Sequence, residues 1–351
     1  MNKKLLLVLA PICMSAILWA ACNDTPTPTT PISTEKPTCT EHVFGEWTLT
    51  KDATCLEEGI ETRLCSECGF SEEKSIEKLA EHSYGKWKTD VDATFTEKGI
   101  EKMVCASCGD AQTREIDIYT RGTGAAVIKA DNDKYDKANP QIYRTQGGCY
   151  NGKDFYQAMI SENEELAVIM KKNIETGEII YSEPRPMEHG NDITYNSRTN
   201  QIVVTGSGQK LYIYDATTLE FIKEVNLGYT ISAISYNEHD DTYVTLSWEN
   251  NYYFDSDFKY IKTNKMQKRE KTSQGMCSDE NYIYNLYCES LGNGKYKTFI
   301  IIHDHNSNMI NEVTVSITNN WEPENISIVD GEIYIMACTP RPTATLFKVI
   351  R

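Results

Sequence analysis

The sequence predicts an all-β protein: a five-bladed β-propeller, with six or seven blades as alternatives, preceded by two small zinc-ribbon-like β repeats. Three observations predict it. A repeat carrying Cys-x-x-Cys-Gly occurs twice at a spacing of 40 residues before Tyr119. From Tyr119 onward, short β-rich runs alternate with turn residues, and no long helix-period segment appears. A weaker repeat recurs there every 41 to 49 residues.

The totals bound what the chain can be. Its 351 residues allow about two or three domains. Apolar content of 40% and charged content of 25% are those of a globular protein and exclude general disorder. A net charge of −16 argues against a nucleic-acid partner, because phosphate contacts need clustered Lys and Arg. The one dense basic run, Lys265, Lys268, Arg269 and Lys271, reads as a solvated loop.

Five segments follow in order. Residues 1–21 form a signal peptide: Lys3 and Lys4 precede an apolar run from Leu5 to Ala21 that is marginal for a membrane span and is broken by Pro11. Export is therefore expected. Ala20-Ala21-Cys22 resembles the end of a bacterial lipoprotein signal, although Trp19 stands where that pattern has a branched aliphatic residue. The resemblance implies lipidation of Cys22 and a membrane anchor facing outside; cleavage near Ala20 or Ala21 with free secretion is the alternative. Residues 22–38, rich in Thr and Pro, read as an extended tether.

Residues 39–78 and 79–118 are the Cys-rich repeats. His42-Val43-Phe44-Gly45-Glu46-Trp47 matches His82-Ser83-Tyr84-Gly85-Lys86-Trp87, and Cys65-Ser66-Glu67-Cys68-Gly69 matches Cys105-Ala106-Ser107-Cys108-Gly109. Units this short need a staple. Two thiolates on a tight turn followed by Gly suit structural zinc, with His42, Cys65 and Cys68 as ligands in the first repeat and His82, Cys105 and Cys108 in the second. A fourth ligand in the first repeat could be Cys39 or Cys55. Both have lost their counterparts in the second repeat, at Leu79 and Phe95. Joint loss favours a Cys39–Cys55 disulfide, which export permits, and leaves His82 to complete the first site. Extracellular disulfides within each Cys-x-x-Cys pair, or free thiols, are the alternative. The repeats resemble Cys-x-x-Cys-Gly modules strung along surface proteins of Gram-positive anaerobic bacteria, which implies a spacer or adhesion module rather than an enzyme.

Residues 119–351 are the propeller. Cys149, Ile193, Ile234, Cys277 and Ile326 anchor similar short strands, spaced by 44, 41, 43 and 49 residues. Five anchors predict five blades, and the strand-like Ala125–Lys129 is expected to supply the outer strand of the last blade. Cys149 and Cys277 stand where other blades have Ile and read as buried apolar side chains. The strand-turn units Tyr212–Leu219 and Asn173–Gly177 resemble those of YVTN- and NHL-like propellers, which implies a domain that binds proteins, sugars or small ligands.

Residues just before each anchor would crowd one channel mouth. Gln146, His189, Asn191, Asp192, Gln274, Glu324 and Asn325 are the candidate ligand-binding set. A binding protein for an extracellular protein or glycan is the first reading. The second is a carbohydrate-active hydrolase or lyase that uses Asp192 and Glu324 as paired carboxylates with His189 nearby, by analogy with five-bladed glycosidases.

Overall fold

The computed structural model describes residues 39–130, 142–206, 208–267, 270–338 and 344–351. The signal, Cys22 and the tether lie outside the described residues, as do Lys268 and Arg269 of the basic run. The chain divides into two compact units, one up to Ser83 and the other Tyr84–Arg351.

In the first unit, β1 (Thr48–Lys51), β2 (Gly59–Leu64) and β3 (Ser71–Ile76) form one antiparallel sheet in chain order. It has almost no apolar core: β1 is exposed throughout, and Cys65 and Cys68 are the buried apolar side chains among the described residues of the unit. Arg63 adds a surface support. Its guanidinium lies 4.4 Å from the Phe44 ring centre and 4.6 Å from that of Trp47, and it pairs with Glu72.

The second unit opens with the same sheet, β4 (Lys88–Val91), β5 (Gly99–Val104) and β6 (Ala111–Ile116). Its register repeats the first at an offset of 40: Thr48 faces Thr62, and Lys88 faces Lys102. Here Phe95 is buried with Val315, Phe347 and Val349 of the propeller. Asn311 Nδ2 donates to the carbonyls of Phe95 at 2.8 Å and Tyr119 at 2.9 Å. The side chain that replaces Cys55 is thus a docking plug.

Five four-stranded antiparallel blades follow. Blade 1 is β8 (Ile142–Tyr150), β9 (Asp154–Ser161), β10 (Ala167–Asn173) and β11 (Ile179–Tyr181). Blade 2 is β12 (Asp192–Asn196), β13 (Gln201–Thr205), β14 (Lys210–Asp215) and β15 (Phe221–Asn226). Blade 3 is β16 (Ala233–Asn237), β17 (Thr242–Ser247), β18 (Asn250–Asp255) and β19 (Tyr260–Lys265). Blade 4 is β20 (Thr272–Ser278), β21 (Tyr282–Gly292), β22 (Lys295–Asp304) and β23 (Met309–Ser316).

Blade 5 closes the ring. β24 (Glu322–Val329), β25 (Glu332–Cys338) and β26 (Ala344–Ile350) take their fourth strand from β7 (Arg121–Ala130), with Leu346 opposite Ile128 and Lys348 opposite Ala125. The expected closing strand is in place. β7 also pairs in parallel with β23 through Arg121–Thr123.

Closure shows in the core as well. The inner strands touch in a cycle, β8–β12–β16–β20–β24–β8. Five separate apolar clusters fill the five blade interfaces. Each blade buries both faces of its middle strands, so β9 is buried at every position and the centre of β14 is continuously apolar rather than alternating. Turns between the third and fourth strands are set by Asn173, Asp215, Asp255 and Asp304, whose Oδ1 atoms accept from backbone N–H groups two to four residues on. The turns at Asn173 and Asp215 are the strand-turn units singled out in the sequence.

Candidate functional site

The first repeat and the propeller channel each hold a constellation with candidate chemistry. The first lies in the first unit. Cys39, His42, Cys65 and Cys68 bring one ligand atom each within 4.8 Å of all the others. Cys65-x-x-Cys68 sits on a turn closed by Gly69, which has φ +68° and donates its N–H to the Cys65 carbonyl. The Ser66 N–H bonds the Val43 carbonyl, which ties that turn to the segment bearing His42. The His42 ring stacks on Phe70 at 4.7 Å, which fixes its orientation.

The spacing fits zinc. Zn–S bonds of about 2.3 Å at tetrahedral angles place sulfurs about 3.8 Å apart. Cys39 Sγ and Cys65 Sγ are 3.9 Å apart, and Cys68 Sγ is 3.4 Å from His42 Nδ1. Backbone N–H groups, that of Cys68 first, hold the Cys65 thiol down at about 6. The neighbouring Cys68 thiol keeps Cys39 up at about 12. A divalent cation would take the place of the protons these thiols share. The donor set is one of three Cys and one His, and four protein ligands are the complement of a structural tetrahedral zinc.

This corrects two expectations. Cys39 is a member of the metal-ligand set and forms no disulfide with Cys55. The fourth position of the first site is filled by Cys39, so His82 is not needed there. The misleading sign was Phe95, which is buried in the apolar cluster of its own unit and carries no information about a partner for Cys39. In the second repeat Cys105 and Cys108 occupy the same turn, with Gly109 at φ +76°.

The second constellation is the propeller channel. Asp192 begins the inner strand of blade 2 and is fully buried, at 0% exposure. Its Oδ1 accepts from the N–H of Ile193 at 3.0 Å and from Asn325 Nδ2 of blade 5. Its Oδ2 accepts from the N–H of Ile234 in blade 3 at 2.9 Å and of Met276 in blade 4 at 3.2 Å. Burial pushes the carboxyl well above its ordinary range, and the four donors pull it back. All four partners are donors, so only the ionised form uses them all. Asp192 is therefore a tie between four blades.

Glycines serve the same closeness. A Cβ at Gly147 would fall 2.4 Å from the Asn191 carbonyl oxygen, and one at Gly275 would fall 3.1 Å from Asn325 Cα. The glycines bring backbone to backbone rather than backbone to ligand.

The other residues of the expected set have separate partners. Glu324 is buried against Cys338, its carboxyl raised well above the usual range by burial and next by Glu322. His189 Nδ1 lies 2.6 Å from Asn191 Oδ1, and its Nε2 lies 3.6 Å from Glu164. Gln274 Nε2 donates to Cys288 Sγ at 3.1 Å and to Glu322 Oε1 at 3.3 Å. Gln146 is half-buried, and no partner is described for it. Asp192 and Glu324 thus have different hydrogen-bond partners.

An open recess lies where the inner strands end. It has a volume of about 430 Å³ and is walled by all five inner strands. Hydroxyls in its walls link neighbouring blades. Tyr236 N–H donates to Thr194 Oγ1 at 2.8 Å, Tyr150 N–H donates to Ser327 Oγ at 3.0 Å, and Ser235 and Ser278 bond at 2.8 Å. The rim is acidic, with Glu238, Asp279, Glu280 and Asp330 beside His239. Cys149 and Cys277 line the recess, and burial raises both thiols well above the ordinary value, which disfavours the thiolate.

Sequence reasoning missed this mouth, and a signal was available. Asn151, Asn196, Asn237 and Asp279 close four of the five inner strands, and each side-chain oxygen accepts from N–H groups two and three residues on.

No protein-family model and no curated protein matches the sequence. Solved structures resemble it at low identity. Glutaminyl cyclase of Myxococcus xanthus is 10% identical with a TM-score of 0.45, over 66% of this chain and 97% of that one. BamB of Moraxella catarrhalis is 9% identical with a TM-score of 0.33, over 86% and 85%. A chain of a nidogen/laminin complex is 11% identical with a TM-score of 0.36, over 69% and 84%. The ring is established here by the chain's own topology.

Proposed function

We propose that this is an exported, surface-held binding protein whose propeller takes an extracellular protein or glycan ligand at the mouth where its inner strands end. Zinc held by Cys39, His42, Cys65 and Cys68 staples the first repeat as part of the spacer. The same three donors recur at the same spacing as His82, Cys105 and Cys108, and a second zinc is proposed there. A bound lipid at Cys22 would hold the spacer at the membrane.

The observation that carries the reading is a recess walled by all five inner strands. Four donors occupy Asp192, while the recess of about 430 Å³ stays open at the opposite end. Hydroxyls in its walls and carboxylates on its rim suit a polar ligand that carries positive charge. The fine relation to YVTN- and NHL-like propellers belongs to this proposal too.

The ligand test is a binding screen of the full chain against polysaccharides and secreted or envelope proteins. Wild type is compared with Glu238→Lys/Asp330→Lys. The wild-type interaction should weaken at least about tenfold in the double variant, with an unchanged melting temperature. Equal binding by both proteins rules out the recess. Turnover of any polysaccharide that disappears in Asp192→Asn or Glu324→Gln would install the hydrolase or lyase reading instead.

Anchoring has its own readout. Cys22→Ala should move the protein from the membrane fraction to the medium, and the wild-type N-terminus should carry a diacylglyceryl mass. An unmodified N-terminus in wild type would mean free secretion.

A further inference from the structure

A second cavity, of about 500 Å³, opens near the starts of the inner strands, at the edges of blades 3 and 4. Its most unusual wall is Trp248. This residue occupies the two-residue turn between β17 and β18, is 86% exposed, and has φ +48°. The left-handed region is costly for a bulky side chain, and Gly or Asn would make the same turn more cheaply. Folding gains nothing from an indole held out in water at that position.

The remaining walls are polar. Asn191, Ser247, Thr272 and Ser273 supply amide and hydroxyl groups, and Glu270 supplies a carboxylate. Ser273 Oγ is buried with no hydrogen-bond partner described. Lys271 is already committed, to Glu312 at 3.2 Å and to the Phe299 ring at 4.4 Å. Among the described residues that line the cavity, no other cation favours a phosphate or sulfate.

A flat aromatic face beside hydroxyl, amide and carboxylate groups matches one chemistry. A pyranose ring has an apolar C–H face that packs on an indole and equatorial hydroxyls that bond polar groups at its edge. We propose that Trp248 and this cavity form a subsite for a neutral hexopyranose or pentopyranose unit of an oligosaccharide. It is separate from the recess at the opposite mouth and does not depend on it.

The probes are chitohexaose, cellohexaose, xylohexaose and mannohexaose, each titrated into the full chain. At least one should bind with a Kd at or below about 1 mM and shift tryptophan emission to the blue. Trp248→Ala should weaken it about tenfold or more, and Ser273→Ala about threefold. Trp248→Phe keeps a stacking face, so it should retain part of the affinity and lose the emission shift. Glu238→Lys/Asp330→Lys should bind the sugar as wild type does. Absence of binding by all four sugars at about 10 mM, or unchanged affinity in Trp248→Ala, overturns the proposal.

Discussion

Cys39→Ser should remove one equivalent of zinc per chain and unfold the first repeat while leaving the propeller folded. The reason is the poverty of that sheet's core: its buried apolar side chains are the ligands themselves. Binding of structural zinc is worth about 10–16 kcal/mol in comparable small units, so a bound metal would supply most of the folding free energy. Elemental analysis after purification without chelator gives the stoichiometry. Amide exchange in Gly59–Leu64 and Ser71–Ile76 gives the structure, and protection there should collapse in the variant and in chelated wild type. Cys55→Ser should leave the first repeat protected, because Cys39 does not depend on it. Zinc-free wild-type protein with fully protected β2 and β3 would show that the thiols and Arg63 suffice.

The second large effect belongs to Asp192. Asp192→Ala strands four donors in a buried ring, including two backbone N–H groups from other blades. A loss of about 4 kcal/mol is expected, with a fall in Tm of about 10 °C for a domain of this size. Asp192→Asn keeps the shape but turns an amide against N–H donors, so it should cost at least about 2 kcal/mol. Urea unfolding followed by tyrosine fluorescence measures both. A variant as stable as wild type would mean that the four bonds carry no net weight.

The ring was legible because a blade must return to the channel at regular intervals. Spacings of 44, 41, 43 and 49 residues therefore mark the inner strands even where Cys149 and Cys277 replace Ile. The closing strand at Ala125–Lys129 was legible for a related reason: blade 5 was one strand short. What stayed hidden were partners that leave no trace in residue type. Asp192 looks like a catalytic acid in sequence, since the backbone N–H groups of Ile234 and Met276 are present in any sequence. The fate of Cys39 was hidden because Phe95 answers to packing in its own unit. Trp248 is an ordinary strand-end aromatic until its backbone angle and exposure are known.

The placement of β7 has a mechanical consequence. A tug on the N-terminal side of the propeller enters through β7, the outermost strand of blade 5, rather than through the channel wall. That strand is gripped along one edge by β26 and at its start by β23 along the other. Ladder bonds lie crosswise to the strand, so a pull along it loads them side by side, and they must give way together. The seam that shuts the ring is also the point where an outside load would be borne, and Asp192 with its four bonds stands out of that path.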